Sequence, residues 1–172
     1  MDIIDCRYRP NTPVWMETFT RNPVYEEYVK RTGFDKKPTQ SLAGCAAQLA
    51  SLGIGKALVS GRDIESTYAA PASNDLVDAC VAAYPSLFIG IHGYDPHKGM
   101  KAYKAICQAI RERRSRGASI EPSMAHCPMD DAKYYPLYAL CCDHDLPVLV
   151  TVTLTVTVSC GSITLRLRAI SR

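Results

Sequence analysis

Leu87-Phe88-Ile89-Gly90-Ile91-His92-Gly93 is a short run with no lysine, arginine or carboxylate, bounded by Pro85-Ser86 and by Asp95-Pro96. A strand apolar along its whole length is one buried on both faces, which is the habit of a parallel sheet covered by helices. Beyond it, Met100, Tyr103, Cys107 and Ile110 recur at helical spacing and predict a helix with one apolar stripe. The same strand-then-helix couplet extends in both directions. Strands are predicted over 3–6, 56–60, 87–93, 117–121 and 147–151, and helices over 41–51, 76–84 and 133–143 besides the one near 100–110. This alternation predicts an α/β fold with a parallel sheet.

Local signals support the boundaries. Leu42, Cys45, Leu49 and Leu52 fall on one face of a helix that stops at Gly53, where a C-terminal glycine belongs. Ser73-Asn74-Asp75 offers an N-cap, Pro85 ends the following helix, and Arg111, Arg113 and Arg114 suit the negative end of the next. Residues 10–40 form an insertion after the first strand, with Trp15, Phe19, Tyr25, Tyr28 and Phe34, and a helix is expected to start at Asn22-Pro23. It can act as a lid, as a subunit contact or as a satellite core over the sheet's mouth. After Leu149 the chain alternates valine or leucine with threonine up to Val158, a strand pattern that favours pairing with another edge.

The 172 residues are 47% hydrophobic and 22% charged, the composition of one ordinary globular domain. The net charge of +3 equals the three tail arginines Arg166, Arg168 and Arg172, so the rest is neutral, which argues against nucleic acid and anionic membranes as partners. The first residues carry two acids and no long apolar run follows, so a cytoplasmic location is expected. The eight cysteines are scattered without Cys-x-x-Cys spacing and are expected to be buried thiols. Gly-x-Ser-x-Gly, P-loop and Gly-x-Gly-x-x-Gly patterns are absent from the sequence.

Five pieces together resemble the amidohydrolase-related family, which includes the aminocarboxymuconate-semialdehyde decarboxylase type. They are Ile4-Asp5-Cys6-Arg7-Tyr8-Arg9-Pro10, Asn74-Asp75, Tyr84-Pro85-Ser86-Leu87-Phe88-Ile89-Gly90, Asp95-Pro96-His97-Lys98-Gly99, and Tyr134-Tyr135-Pro136-Leu137-Tyr138 leading to Leu146-Pro147-Val148. The resemblance implies a TIM-type (β/α) barrel, of which this chain supplies about five units of the usual eight. The expected division is 1–151 as an incomplete barrel and 152–172 as a divergent β-prone tail, through truncation, a shifted reading frame or an alternative ending. A half-barrel has two open edges, so a homo-oligomer or cover by the tail is expected.

The family implies hydrolysis or decarboxylation of a small carboxylated compound with zinc or another divalent metal. Its Asp-x-His-x-His pattern at the first strand falls on Arg7 and Arg9, its later histidines on Glu121 and Thr151. A guanidinium only donates and repels a cation, so no bound cofactor is expected, and a metal-free, inactive chain follows. In place of the metal, Arg7 and Arg9 share a strand face and can hold a substrate carboxylate or phosphate, or else make a structural salt bridge with Glu121, Asp5 or Asp63. Arg62, in the polar loop 60–68, and Thr151 join them as substrate-binding candidates. His92, expected to face the mouth, Glu121 and His126 are the candidates for proton transfer, and a metal held by these three is a further alternative. His97 is expected to meet backbone and His144 to sit at a solvated helix end. The two functional expectations are thus a family enzyme and a non-catalytic anion-binding or oligomerising subunit using Arg7 and Arg9.

Overall fold

The computed structural model describes residues 3–152. The expected tail at 152–172 therefore lies outside the described residues, apart from Val152. Five strands, β1 (Ile3–Tyr8), β2 (Ile54–Ser60), β3 (Phe88–Gly93), β4 (Ala118–Ile120) and β5 (Val148–Val150), form one sheet in sequence order with every neighbouring pair parallel. The sheet is parallel, as the alternation predicts, and curls as a partial TIM barrel, as the resemblance implies. Its two edges, β1 and β5, leave Ile3, Ile4, Val150 and Val152 exposed. Among the described residues no helix is long and apolar enough to cross a membrane.

The covering helices are α3 (Leu42–Ser51), α5 (Asn74–Ala83), α6 (Met100–Arg111) and α7 (Tyr135–Asp143). Ser41 caps α3 by accepting from the Gly44 amide, and Gly53 leaves the helix at φ +71°, a conformation costly for any residue with a Cβ. Ser73 makes no side-chain cap on α5, because its hydroxyl accepts from the Arg62 amide instead, at 2.8 Å. The buried residues of α6 are Ala102, Ile106 and Ala109, with Tyr103, Cys107 and Ile110 flanking them and Met100 exposed. The predicted stripe is thus rotated by one position, with Ala102 and Ile106 in the core that holds Ala118 and Ile120 and the longer side chains packed along its border.

Two cores lie between sheet and helices. One gathers Trp15, Leu49, Ala57, Val59, Val77, Cys80 and Phe88, the other Ala102, Ile106, Ala118, Ile120, Tyr134, Leu137 and Cys141. Phe88 stacks on Tyr8 at 5.9 Å and meets the edge of Tyr84 at 6.0 Å. Burying a side chain of that size contributes about 1.5–3 kcal/mol. The cores also fix which strand residues face the helices. Ala57, Val59 and Ala118 do, so their neighbours Leu58, Ser60 and Ser119 line the concave interior.

The insertion folds into α1 (Pro13–Thr20), a 3-10 turn at Pro23–Tyr25, α2 (Glu26–Thr32) and a second turn at Phe34–Lys36. Asn22 starts the first turn by accepting from the Val24 amide at 3.1 Å, and α2 follows it. Tyr25, Phe19, Val24 and Val29 pack with Ile64, Ala70, Tyr68 and Met124 from the loops after β2 and β4. The insertion therefore supplies a satellite core over the strand ends. A four-residue helix, α4 (Glu65–Tyr68), lies within the loop after β2, where the polar composition gives no helical period.

Candidate functional site: an arginine pair on one glutamate

The strand ends of β1, β2 and β4 converge on a cluster of charge. Tyr8 belongs to the helix-side core, so Arg7 and Arg9 project to the concave face by the two-residue period of a strand. Arg9 places Nη2 3.0 Å from Glu121 Oε1 and donates from Nε to the Ser60 carbonyl at 3.3 Å. Arg62, just past β2, brings Nε to 3.3 Å from the same oxygen of Glu121 and donates from Nη1 to the Tyr25 hydroxyl. The Arg62 guanidinium also lies 4.5 Å from the Phe19 ring centroid and 4.8 Å from that of Tyr25. One carboxylate thus serves two guanidiniums, with side-chain exposures of 20% for Arg9, 9% for Arg62 and 8% for Glu121.

Backbone hydrogen bonds set this geometry. Arg62 is fastened at both its peptide groups, its amide to Ser73 Oγ and its carbonyl to the Ser73 amide. Asn74 clamps Gly93, accepting from its amide at 2.8 Å and donating to its carbonyl at 3.0 Å. Of the salt bridges expected from the sequence, Arg9 with Glu121 is the one formed. Asp63 is held by Lys98 at 2.7 Å, and Asp5 accepts from the backbone amide of Arg7. Arg7 itself is exposed and lines, with Cys6, Ser119, Thr151 and the end of β5, an open groove of about 610 Å³.

The charge count leaves a surplus. Two guanidiniums face one carboxylate, and Tyr25 does not compensate, since burial holds its pKa up at about 12 and keeps it neutral. Burial and the charge of Arg62 bring the pKa of Arg9 down to about 10, so Arg9 stays cationic at neutral pH at a cost that the neighbouring guanidinium raises. Two polar groups here are also incompletely satisfied. Ser60 Oγ, on the concave face, is buried with no hydrogen-bond partner among the described residues, and Arg62 Nε sits at ion-pair distance from Glu121 without a hydrogen bond. An anion at this point gains charge-assisted hydrogen bonds and relieves repulsion at once.

A divalent cation does not fit. The first-strand positions that would supply imidazoles hold Arg7 and Arg9, which offer no lone pair, and among the described residues no three His, Cys, Asp or Glu side chains are grouped to hold a metal. The alternative metal site of His92, His126 and Glu121 is not assembled. His92 does not face the mouth. It shares the helix side with Gly90 and Ala118, and its Nε2 lies 2.8 Å from Asp78 Oδ1 on α5, with Arg114 bound to the other oxygen of Asp78. His126, in a left-handed conformation after β4, lies 3.0 Å from the Tyr68 hydroxyl. His97 meets backbone, at 2.7 Å from the Ala125 carbonyl, and His144 closes α7. Tyr25, Phe19, Ser60, Ser73 and Asn74 complete the site; the sequence marks Phe19 and Tyr25 as members of an aromatic-rich insertion, Ser73 and Asn74 as a helix cap and Ser60 as the start of a polar loop, but none of them as a site residue.

The His92 pair gives a pH dependence of stability. Burial lowers the pKa of His92 below its ordinary 6.5, more than Asp78 raises it. The unfolded chain therefore takes up the proton first. The contribution is complete above about pH 6.5 and is lost as the pH falls through the depressed value of the folded state. His92→Gln is expected to flatten this part of the acid limb, as checked by urea midpoints at about pH 5 and pH 8.

A family model described as amidohydrolase matches residues 5–172. A search of curated proteins finds no match. Among solved structures, an uncharacterised TIM-barrel protein from Bordetella bronchiseptica is 29% identical, with 87% of this chain and 55% of that one covered at a TM-score of 0.62. A 5-carboxyvanillate decarboxylase from Novosphingobium aromaticivorans, solved with manganese and a nitrobenzoic acid, is 17% identical over 86% of this chain and 49% of that one, at a TM-score of 0.60. A 2,6-dihydroxybenzoate decarboxylase from Rhizobium is 14% identical over 86% and 49%, at 0.59. The chain spans about half the length of the solved structures it matches, and the last two likenesses concern the fold alone.

Proposed function

Because the chain belongs to the amidohydrolase family, whose barrel architecture carries its chemistry at the C-terminal strand ends, we propose that the Arg9–Arg62–Glu121 cluster is its ligand site and takes a small carboxylate or phosphate. The observation that carries this is the pair of arginines sharing a single glutamate oxygen, with Arg7 exposed on the same concave face. Planar guanidiniums meet oxyanions through paired N–H donors, and partial burial reduces the competition from water. Ser60 Oγ is the neutral donor available beside them, and Thr151 lines the adjoining groove. The site orients an anion and supplies no metal-bound nucleophile of its own.

The second function is the family chemistry itself, hydrolysis or decarboxylation of a carboxylated compound. What favours it is that two of the solved proteins sharing this fold are decarboxylases of carboxylated phenols. In that case the arginines anchor the substrate's carboxylate, and the chain alone is expected to bind without turning over. Calorimetric titration with inorganic phosphate and with acetate tests the binding. The expected result is one saturable, salt-sensitive site, weakened about tenfold or more by Arg62→Gln and less by the exposed Arg7→Gln. Absence of binding, or affinity unchanged in both variants, rejects the site.

A further inference from the structure

The outer surface of α6 and α7 carries charge that the fold leaves unpaired. The two helices follow consecutive parallel strands, so they run side by side in the same direction, and Tyr103, Cys107, Ile110 and Tyr138 pack along their shared core. On the outward side of α6, Lys101, Lys104, Ala105, Gln108 and Arg111 are exposed, and its one acid, Glu112, is already held by Arg114 and Gln108. The three cations form no ion pair among the described residues. On α7 the exposed side is Tyr135, Pro136, Ala139 and Cys142, and the helix carries no charge before Asp143. Tyr135 is 58% exposed, and Met129, ahead of the helix, 43%. A helix apolar on its outward as well as its inward side is one that a neighbour covers. Its acids stand at the two ends, Asp130 before it and Asp143 and Asp145 at its close, and these three form no ion pair among the described residues.

We propose that a second copy of this chain covers this face, α6 of each copy lying on α7 of the other about a two-fold axis that runs along the helices. Such an axis keeps the direction of the helices and exchanges their positions, so every contact forms twice. Charge selects this arrangement. Lys101 and Lys104, at the start of α6, come opposite the acid at the start of the other copy's α7, Asp130, and Arg111 at the end of α6 comes opposite Asp143. An axis across the helices would instead set α6 on α6 and α7 on α7, cation against cation and acid against acid. The lengths agree as well. The 12 residues of α6 rise about 18 Å, and the turn Ala132–Tyr134 with the nine residues of α7 about 19 Å. Between the charged ends, Ala105 and Ala139 are small enough for close approach, and the lysine stems of α6 offer apolar length to Tyr135. The contact uses the helix side of the sheet, so the concave face with Arg9 and Arg62 stays open.

Sedimentation velocity of the whole chain, over about 1–100 μM, is expected to show a monomer–dimer equilibrium that weakens as sodium chloride is raised. Arg111→Glu and Asp143→Arg each set like charges against one another at both copies of the contact, and each alone is expected to weaken association about tenfold or more. Mixed in equal amounts, the two variants make a heterodimer in which both contacts again join opposite charges, and the parent's affinity is expected to return. That rescue separates a contact between copies from a loss of fold. Ala139→Arg, at the apolar centre, is expected to give a monomer. The proposal is overturned by a monomer throughout the concentration range, or by a mixture that associates no better than either variant alone. It is equally overturned by a dimer that all three substitutions leave intact, the outcome expected if copies join through the open edges β1 and β5.

Discussion

Glu121→Ala is expected to lower the unfolding free energy by about 3–5 kcal/mol, the cost typical of removing one member of a buried ion pair. Arg9 and Arg62 both meet Glu121 Oε1, at 3.0 and 3.3 Å, with each side chain largely buried. Without the carboxylate, two cations remain close together with only Ser60, Tyr25 and the Phe19 ring around them. Glu121→Gln keeps the shape and an oxygen acceptor but not the charge, so its loss is expected to be smaller. An anion added in solution should then fill the vacated place. Phosphate at 100 times its dissociation constant would restore about 2.7 kcal/mol by linkage, if it binds the folded chain alone. Urea unfolding of the parent and both variants, with and without phosphate, measures all of these. A Glu121→Ala variant as stable as the parent would mean that Glu121 is not what holds the two cations together.

Gly93→Ala is expected to cost about 3 kcal/mol and to abolish anion binding, although the residue carries no chemistry. A Cβ at Gly93 would lie 2.5 Å from the Asp63 amide nitrogen, 2.6 Å from the Arg62 carbonyl carbon and 2.7 Å from the Arg62 Cα. These are backbone atoms, and they have nowhere to retreat, because Ser73 holds Arg62 at both peptide groups and Asn74 clamps Gly93 from the other side. The end of β3 is thus the surface against which Arg62 is positioned. The variant's urea midpoint and its phosphate titration are expected to fall together. A variant that keeps both would show that the loop after β2 yields easily, and that Arg62 is not held by this contact.

Why some of this was legible in the sequence and some was not follows from the strands themselves. The five apolar runs and the helical stripes place the elements, because burial on both faces and a 3.6-residue period are written locally. Arg7 and Arg9 share a face for the same reason, and the salt bridge to Glu121 follows once both strand ends meet at one mouth. The orientation of His92 was not legible. A strand apolar on both faces gives no sign of which residues point inward. The decisive fact is spatial: at Gly90, on the same side as His92, a Cβ would run into the Arg114 carbonyl and the Val77 side chain of α5, so that side is the one covered by helices. The aromatic insertion is legible as a cover for the mouth, but its contact with Arg62 through Tyr25 and Phe19 is not, because nothing local links Tyr25 to a side chain 37 residues away.

The sign of the charge at the end of the first strand decides which ligand this site can take. Equilibrium dialysis of the purified chain against manganese, repeated on the Glu121→Gln variant, measures it most directly. Two guanidiniums at the places of the family's imidazoles predict no stoichiometric manganese that depends on Glu121. One equivalent retained by the parent and lost in Glu121→Gln would contradict it.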